Sequence, residues 1–194
     1  MSLKEQVYSV LVVSSAEKLN TAFKELLPES HFEPVRFVSS VNAGQRAFSG
    51  RSYDFVIVNS PLPDDTGIHF SIDCASSSGT VVLLLVRAEV YDGVRDRVTE
   101  HGVFTLSRPF PRPMILTALN WMAGMREKLR KMEKKTISFE EKMEEIRLVN
   151  RAKLLLVSQL QMDEPQAHRY IEKQAMDRSV TRKTIAEEII RLYS

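Results

Sequence analysis

The first 110 residues alternate between short continuous apolar runs and segments whose apolar residues recur every three or four positions. Val7–Val13, Pro34–Val38, Asp54–Val58, Thr80–Val86 and Val103–Leu106 have strand length and, for the most part, strand composition. Between them Ala16–Leu27, Val41–Phe48, Gly67–Cys74 and Asp92–Glu100 read as helices. In the first, Leu19, Ala22, Phe23 and Leu26 mark one face, and Ser14 or Ser15 can serve as N-cap. Strands that alternate with helices run parallel, because a parallel pair needs a crossover connection. The expected fold is α/β, a five-stranded parallel doubly wound sheet. In such a sheet a site lies at the carboxyl ends of the strands, here at Ser14/Ser15, Asn59, Val86 and Ser107/Arg108.

The texture changes after Pro109, Pro111 and Pro113. A single long helix is expected from about Arg112 to Leu160, with a heptad pattern. One position is occupied by Met122, Leu129, Thr136, Met143, Asn150 and Val157, the other by Met125, Met132, Phe139, Ile146, Lys153 and Leu160. Only Thr136, Asn150 and Lys153 are not apolar, which argues for a coiled-coil homodimer with its seam at Met122, Met125, Leu129, Met132, Phe139, Met143 and Ile146. A solvated linker helix is the alternative. Two shorter helices follow. Asp163 caps one running to about Asp177, with Pro165 in its first turn, and Thr181 caps the last. Ala167, Tyr170, Ile171, Gln174 and Ala175 mark the inner face of the former, with Tyr170 read as core. Ala175 and Met176 read as packing residues, and Ile185, Ile189, Ile190 and Leu192 are the apolar residues of the last helix. The expected organisation is α/β plus all-α, with domains at 1–122, 123–145 and 146–194.

Net charge is +2, which names no partner. Residues 1–120 hold 11 Lys/Arg against 13 Asp/Glu, and residues 121–194 hold 16 against 12, so the excess of cations lies in the helical part. Cys74 is the only cysteine, which suits a reducing cytoplasm. No signal peptide is expected, and the longest apolar run, Val81–Val86, is too short to cross a membrane. His31, His69, His101 and His168 are scattered without metal-ligand spacing. With no glycine loop for phosphate and no nucleophile–base pair, the expectation is neither enzyme nor metal nor cofactor.

The segment Asn59-Ser60-Pro61-Leu62-Pro63-Asp64-Asp65-Thr66-Gly67 resembles the loop after the third strand of response-regulator receiver domains, and Ser107-Arg108-Pro109-Phe110 resembles that family's lysine-proline-phenylalanine. The resemblance covers about Val7 to Met122 and implies a CheY-like fold. It also implies a chemistry that these residues do not carry. A receiver has two acidic residues after its first strand to hold Mg²⁺, where this chain has Ser14 and Ser15. It has a carboxylate nucleophile after the third, where Asn59 stands. It has a small hydroxyl at the end of the fourth, where Val86 stands. It has a lysine after the fifth, where Arg108 stands. Asp64 and Asp65 read as solvated turn residues. The expectation is a pseudo-receiver, with these five positions as a degenerate phosphorylation site and the domain free to bind a regulatory protein or to dimerise.

The tail resembles the ANTAR domain of bacterial antiterminators from about Ile146 to Leu192, through Arg151-Ala152-Lys153, Leu154-Leu155-Leu156, Asp163-Glu164, Ala167, Ala175-Met176 and Ile185-Ala186. Leu154 stands where the family often has glycine. The resemblance implies a dimer that binds paired stem-loops in leader RNA and so prevents termination. Loop bases and phosphates would be gripped by cations, of which the candidates are Lys153, Arg169, Lys173, Arg178, Arg182 and Lys183. His168 is a candidate for stacking on bases. Two other readings stand beside this one: a protein-interaction adaptor and a DNA-binding regulator.

Overall fold

The computed structural model of the chain describes residues 6–77 and 79–193. They fall into two compact units, Met1–Lys131 and Met132–Ser194. In the first unit the strands are β1 (Tyr8–Val13), β2 (Phe32–Val38), β3 (Phe55–Asn59), β4 (Val81–Arg87) and β5 (Phe104–Arg108). The helices between them are α1 (Glu17–Leu26), α2 (Val41–Gly50), α3 (Ile68–Ser76) and α4 (Tyr91–Val98), and α5 (Arg112–Leu160) supplies residues to both units. All strand pairs are parallel, in the order β2-β1-β3-β4-β5. Every element of the sheet expected from the sequence is present, with ends displaced by one or two residues. The N-cap of α1 differs: it is Ala16, without a side-chain cap, and the Ser14 hydroxyl accepts from the Ala16 N–H at 3.2 Å instead.

The alternation of side chains along each strand builds two cores. Leu11, Val13, Val56, Val58, Val82 and Leu84 face one way and meet Val41 and Ala47 of α2, Phe70 and Cys74 of α3, and Val94 and Val98 of α4. Val10, Val12, Phe55, Ile57, Leu83 and Leu85 face the other way, toward Phe23 of α1 and Ile115, Leu119 and Met122 of α5. β3 and the body of β4 are buried along their length, as central strands must be. Gly67 sits at the start of α3 with φ +76°, and a Cβ there would come within 2.8 Å of Val58 Cγ1. Only glycine meets both demands.

This packing corrects the expected dimer seam at one end. Met122 has no exposed surface and Leu129 packs against the same core, so both belong to the first unit's own interior. Two heptad positions on one helix can face its own sheet as readily as a partner, and a seven-residue period does not tell these apart. α5 is also tied to the sheet by charge. Asp54, ahead of β3, accepts from Arg126 Nε at 2.7 Å and from Arg130 Nη2 at 2.8 Å, and from the Ser9 N–H and hydroxyl at 2.9 and 3.0 Å. The Arg130 guanidinium lies over the Tyr8 ring, and Tyr8 donates to Glu127 at 3.2 Å.

The second unit joins the end of α5 to α6 (Glu164–Asp177) and α7 (Arg182–Tyr193). Asp163 caps α6 as expected: its carboxylate accepts from the Gln166 N–H at 2.7 Å while Gln166 Oε1 accepts from the Asp163 N–H at 3.1 Å. The core is small: Val149, Ala152 and Leu156 of α5, Ala167, Ile171 and Ala175 of α6, and Ile185, Ala186 and Ile189 of α7. Four alanines out of nine let the helix axes approach closely. The buried stripe of α6 is one residue in four, which leaves Tyr170 and Met176 outside it. Both are exposed, contrary to the sequence expectation, and so is Leu192.

Candidate functional site

The parallel topology brings the carboxyl ends of β1 and β3 together, and with them Ser14 and Asn59. Both are buried, and Asn59 Nδ2 donates to Ser14 Oγ at 3.0 Å. The Asn59 Oδ1 is buried and unpartnered. Ser15 is exposed. Val86, fully buried near the end of β4, offers no hydroxyl. From the end of β5, Arg108 Nη2 donates to the Ser60 carbonyl, while its Nε is buried without a partner. Burial, and then the charge of Arg87, hold the Arg108 pKa below its ordinary value.

The two carboxylates of the loop that follows Asn59, Asp64 and Asp65, are both engaged elsewhere. Asp64 accepts from the N–H groups of Val41 and Asn42, each at 2.9 Å, at the amino end of α2. Those hydrogen bonds, Asn42's first and Val41's next, hold its pKa below the usual carboxylate value. Asp65 accepts from the Gly67 N–H at 2.7 Å within its own turn. The solvated-turn reading is therefore too weak for Asp64, which caps a helix from another loop. Mg²⁺ is a hard cation that takes carboxylate oxygens and water. Two hydroxyls and an amide do not supply that donor set, and the residues present do not fit the metal that receivers hold.

In the second unit the six candidate cations divide into two sets. Lys153 Nζ donates to Glu164 at 2.9 Å, Arg178 grips Glu188 through both terminal nitrogens, and Arg182 is 3.0 Å from Glu145 and 3.7 Å from Glu172. Arg169, Lys173 and Lys183 are exposed and make no ion pair among the described residues. Arg169 and Lys173 are four residues apart on α6 and share a face. The sequence reading missed the carboxylate partners Glu145, Glu164, Glu172 and Glu188. They lie 10 to 37 residues from their cations, beyond any local pattern. Met125 of the first unit, and Met132, Phe139, Met143 and Ile146 of the second, are exposed. No helix among the described residues is long and apolar enough to cross a membrane.

A five-stranded parallel sheet of this order and a three-helix module of this composition define a receiver-like fold joined to a helical output domain. The output domain is an ANTAR domain, whose family model matches residues 138–190. The chain is 27% identical over 185 residues to the transcriptional regulatory protein PdtaR of Mycobacterium tuberculosis, covering 93% of this chain and 88% of the relative. It is 29% identical over 127 residues to the aliphatic amidase regulator of Pseudomonas aeruginosa, covering 63% and 64%. Among solved structures, the signal receiver domain of an HD domain-containing protein from Pseudomonas fluorescens Pf-5 superposes with a TM-score of 0.58 at 19% identity, over 68% of this chain and 96% of that one, which shows the fold alone.

Proposed function

We propose that this chain is a cytoplasmic transcription antitermination regulator whose ANTAR domain binds paired stem-loops in leader RNA. The observation that carries the reading is the ANTAR match over 138–190 together with Arg169, Lys173 and Lys183, which are exposed on that domain and make no ion pair among the described residues. Cations free of carboxylates are the ones that exchange counterions for phosphates. The receiver is proposed to work without phosphorylation, as a module that binds a regulatory protein or a second copy, since an amide replaces the acceptor carboxylate at Asn59. The proposed homodimer pairs Met125, Met132, Phe139 and Met143 with their equivalents, which would present two RNA-binding modules to two stem-loops, while Ile146, the next heptad position, lines a cleft of the output module instead. The functional partition is receiver 1–122, linker 123–145 and output module 146–194, with no catalytic role and no cofactor.

The test is binding of the full chain to a transcript with two stem-loops ahead of a terminator, against a DNA duplex of equal length. RNA binding that falls steeply with salt is the expected result, and preference for the duplex defeats the reading. The exposed Leu154, Met176 and Leu192 favour the second reading, an adaptor whose tail docks on another protein.

A further inference from the structure

A cleft of about 160 Å³ opens on the output module, lined by Glu145, Ile146, Val149, Asn150 and Lys153 of α5, with His168 of α6 and Arg182 of α7. At ~30 Å³ per water it holds about five waters, well short of the roughly 300–1,000 Å³ that encloses a drug-sized ligand. It suits one planar ring. Ile146 and Val149 give it an apolar wall. His168, with 45% of its side chain exposed, offers a flat face. The Asn150 side chain is exposed and makes no hydrogen bond among the described residues, so its amide presents a donor and an acceptor.

The charge around the cleft points to a neutral occupant. Lys153 and Arg182 are answered by Glu164, Glu145 and Glu172, and His168 Nε2 is 3.3 Å from Glu172. An anion held inside would meet those carboxylates. A neutral ring would find side chains already held in place by their ion pairs, with little left to order on binding. The cations at the rim can still meet the phosphates on either side of the ring.

We infer that this cleft takes one unstacked base of the RNA loop, stacked on His168 and read along its edge by Asn150 and Glu145. The inference rests on the RNA-binding reading above and deepens it. Loop bases of RNA are commonly read this way, splayed out against an aromatic ring and hydrogen-bonded at their edges. The Glu145 carboxylate only accepts, so it favours a base whose edge offers an exocyclic amino group and disfavours uracil, whose one edge donor, N3–H, is flanked by two carbonyl oxygens that repel a carboxylate.

The probe is a pool of RNA hairpins with one fixed stem and a randomised six-nucleotide loop, selected on the full chain at low salt. Enriched loops are then remade with a single abasic position at each site in turn. One loop position is expected to hold an amino-bearing base, and its removal to weaken binding about tenfold or more. The doubly substituted N150A/H168A chain, with the wild-type melting temperature, is expected to lose less than twofold from the same abasic change. Equal abasic penalties in wild type and variant at every position, enrichment of uracil at the sensitive position, or retention of the pool without loop preference overturns the inference alone. Failure to retain any hairpin overturns the RNA-binding reading and the inference with it.

Discussion

The side-chain amide of Asn59 donates to the Ser14 hydroxyl across 3.0 Å, where the carboxyl ends of β1 and β3 meet. At this place the likeness to receivers implies a metal and a carboxylate nucleophile. A neutral amide and a neutral hydroxyl have replaced a cluster of carboxylates that would repel one another without a metal. Adding Mg²⁺ and a small phosphodonor is expected to leave the melting temperature unchanged, and a saturable upward shift would contradict this. Asn59→Asp alone is expected to destabilise the first unit by about 2 kcal/mol at pH 7, because it buries a charge with no partner.

The Asp54 cluster ties α5 to the sheet by charge as well as by packing. The carboxylate is mostly buried, which raises its pKa, but the hydrogen bonds from Arg126 and Ser9 and the charge of Arg130 outweigh burial and leave the pKa lowered. A lowered folded-state pKa contributes stability that is present above the unfolded value of ~3.9 and is lost as pH falls through the folded value. Exposed ion pairs are worth about 0.2–1 kcal/mol, whereas breaking a buried pair costs about 3–5. With 14% of the Asp54 side chain exposed, Asp54→Asn is expected to cost about 2 kcal/mol near neutral pH. The difference from wild type should shrink toward pH 3 in denaturant titrations, and a difference independent of pH would show that the charge is not responsible.

Met122 and Phe139 separate folding from the proposed dimerisation. Met122 is fully buried in the first unit, so Met122→Ala is expected to cost about 2–5 kcal/mol of its stability. Phe139 is 64% exposed and belongs to none of the three cores. Phe139→Lys is expected to leave the melting of a dilute sample within about 0.5 kcal/mol while lowering the apparent mass in sedimentation equilibrium. An unchanged dimer would remove the seam from the proposal.

Cys74 lies on the buried face of α3, and burial, with the nearby Asp73 charge, pushes its thiol up to about 12. The thiolate is the reactive form. A thiol reagent at pH 8 is expected to leave the native chain unmodified and to label it once in denaturant. Rapid native labelling would mean that α3 opens locally.

Most of the first unit was legible in the sequence, because a change from period two or continuous apolar runs to period 3.6 needs no knowledge of long-range contacts. The meeting of Ser14 and Asn59 was legible for a related reason: parallel strands put their carboxyl ends on one side of the sheet, so residues after neighbouring strands meet. What was hidden depended on partners distant in the chain. Asp54 lies 72 residues from Arg126, and nothing around either residue announces the other. The same holds for Asp64 and the amino end of α2. Met122 and Met125 looked alike as heptad positions, yet only the sheet beneath α5 decides which of them is buried.

The cations of the ANTAR domain are distinguished by their carboxylates, and this decides which substitutions inform on RNA. Reversing Lys153, Arg178 or Arg182 sets a new negative charge against Glu164, Glu188 or Glu145, so weaker binding by those variants would mix folding with contact. Arg169, Lys173 and Lys183 carry no such pairs among the described residues, and their neutral variants are expected to fold as the wild type does. Each that touches a phosphate should lower the slope of log affinity against log salt by about 0.7–0.9. Arg169→Gln and Lys173→Gln share a face of α6, and together they are expected to lower it by about twice that amount. A double variant whose salt slope equals that of the wild type would place the RNA on another face of the domain.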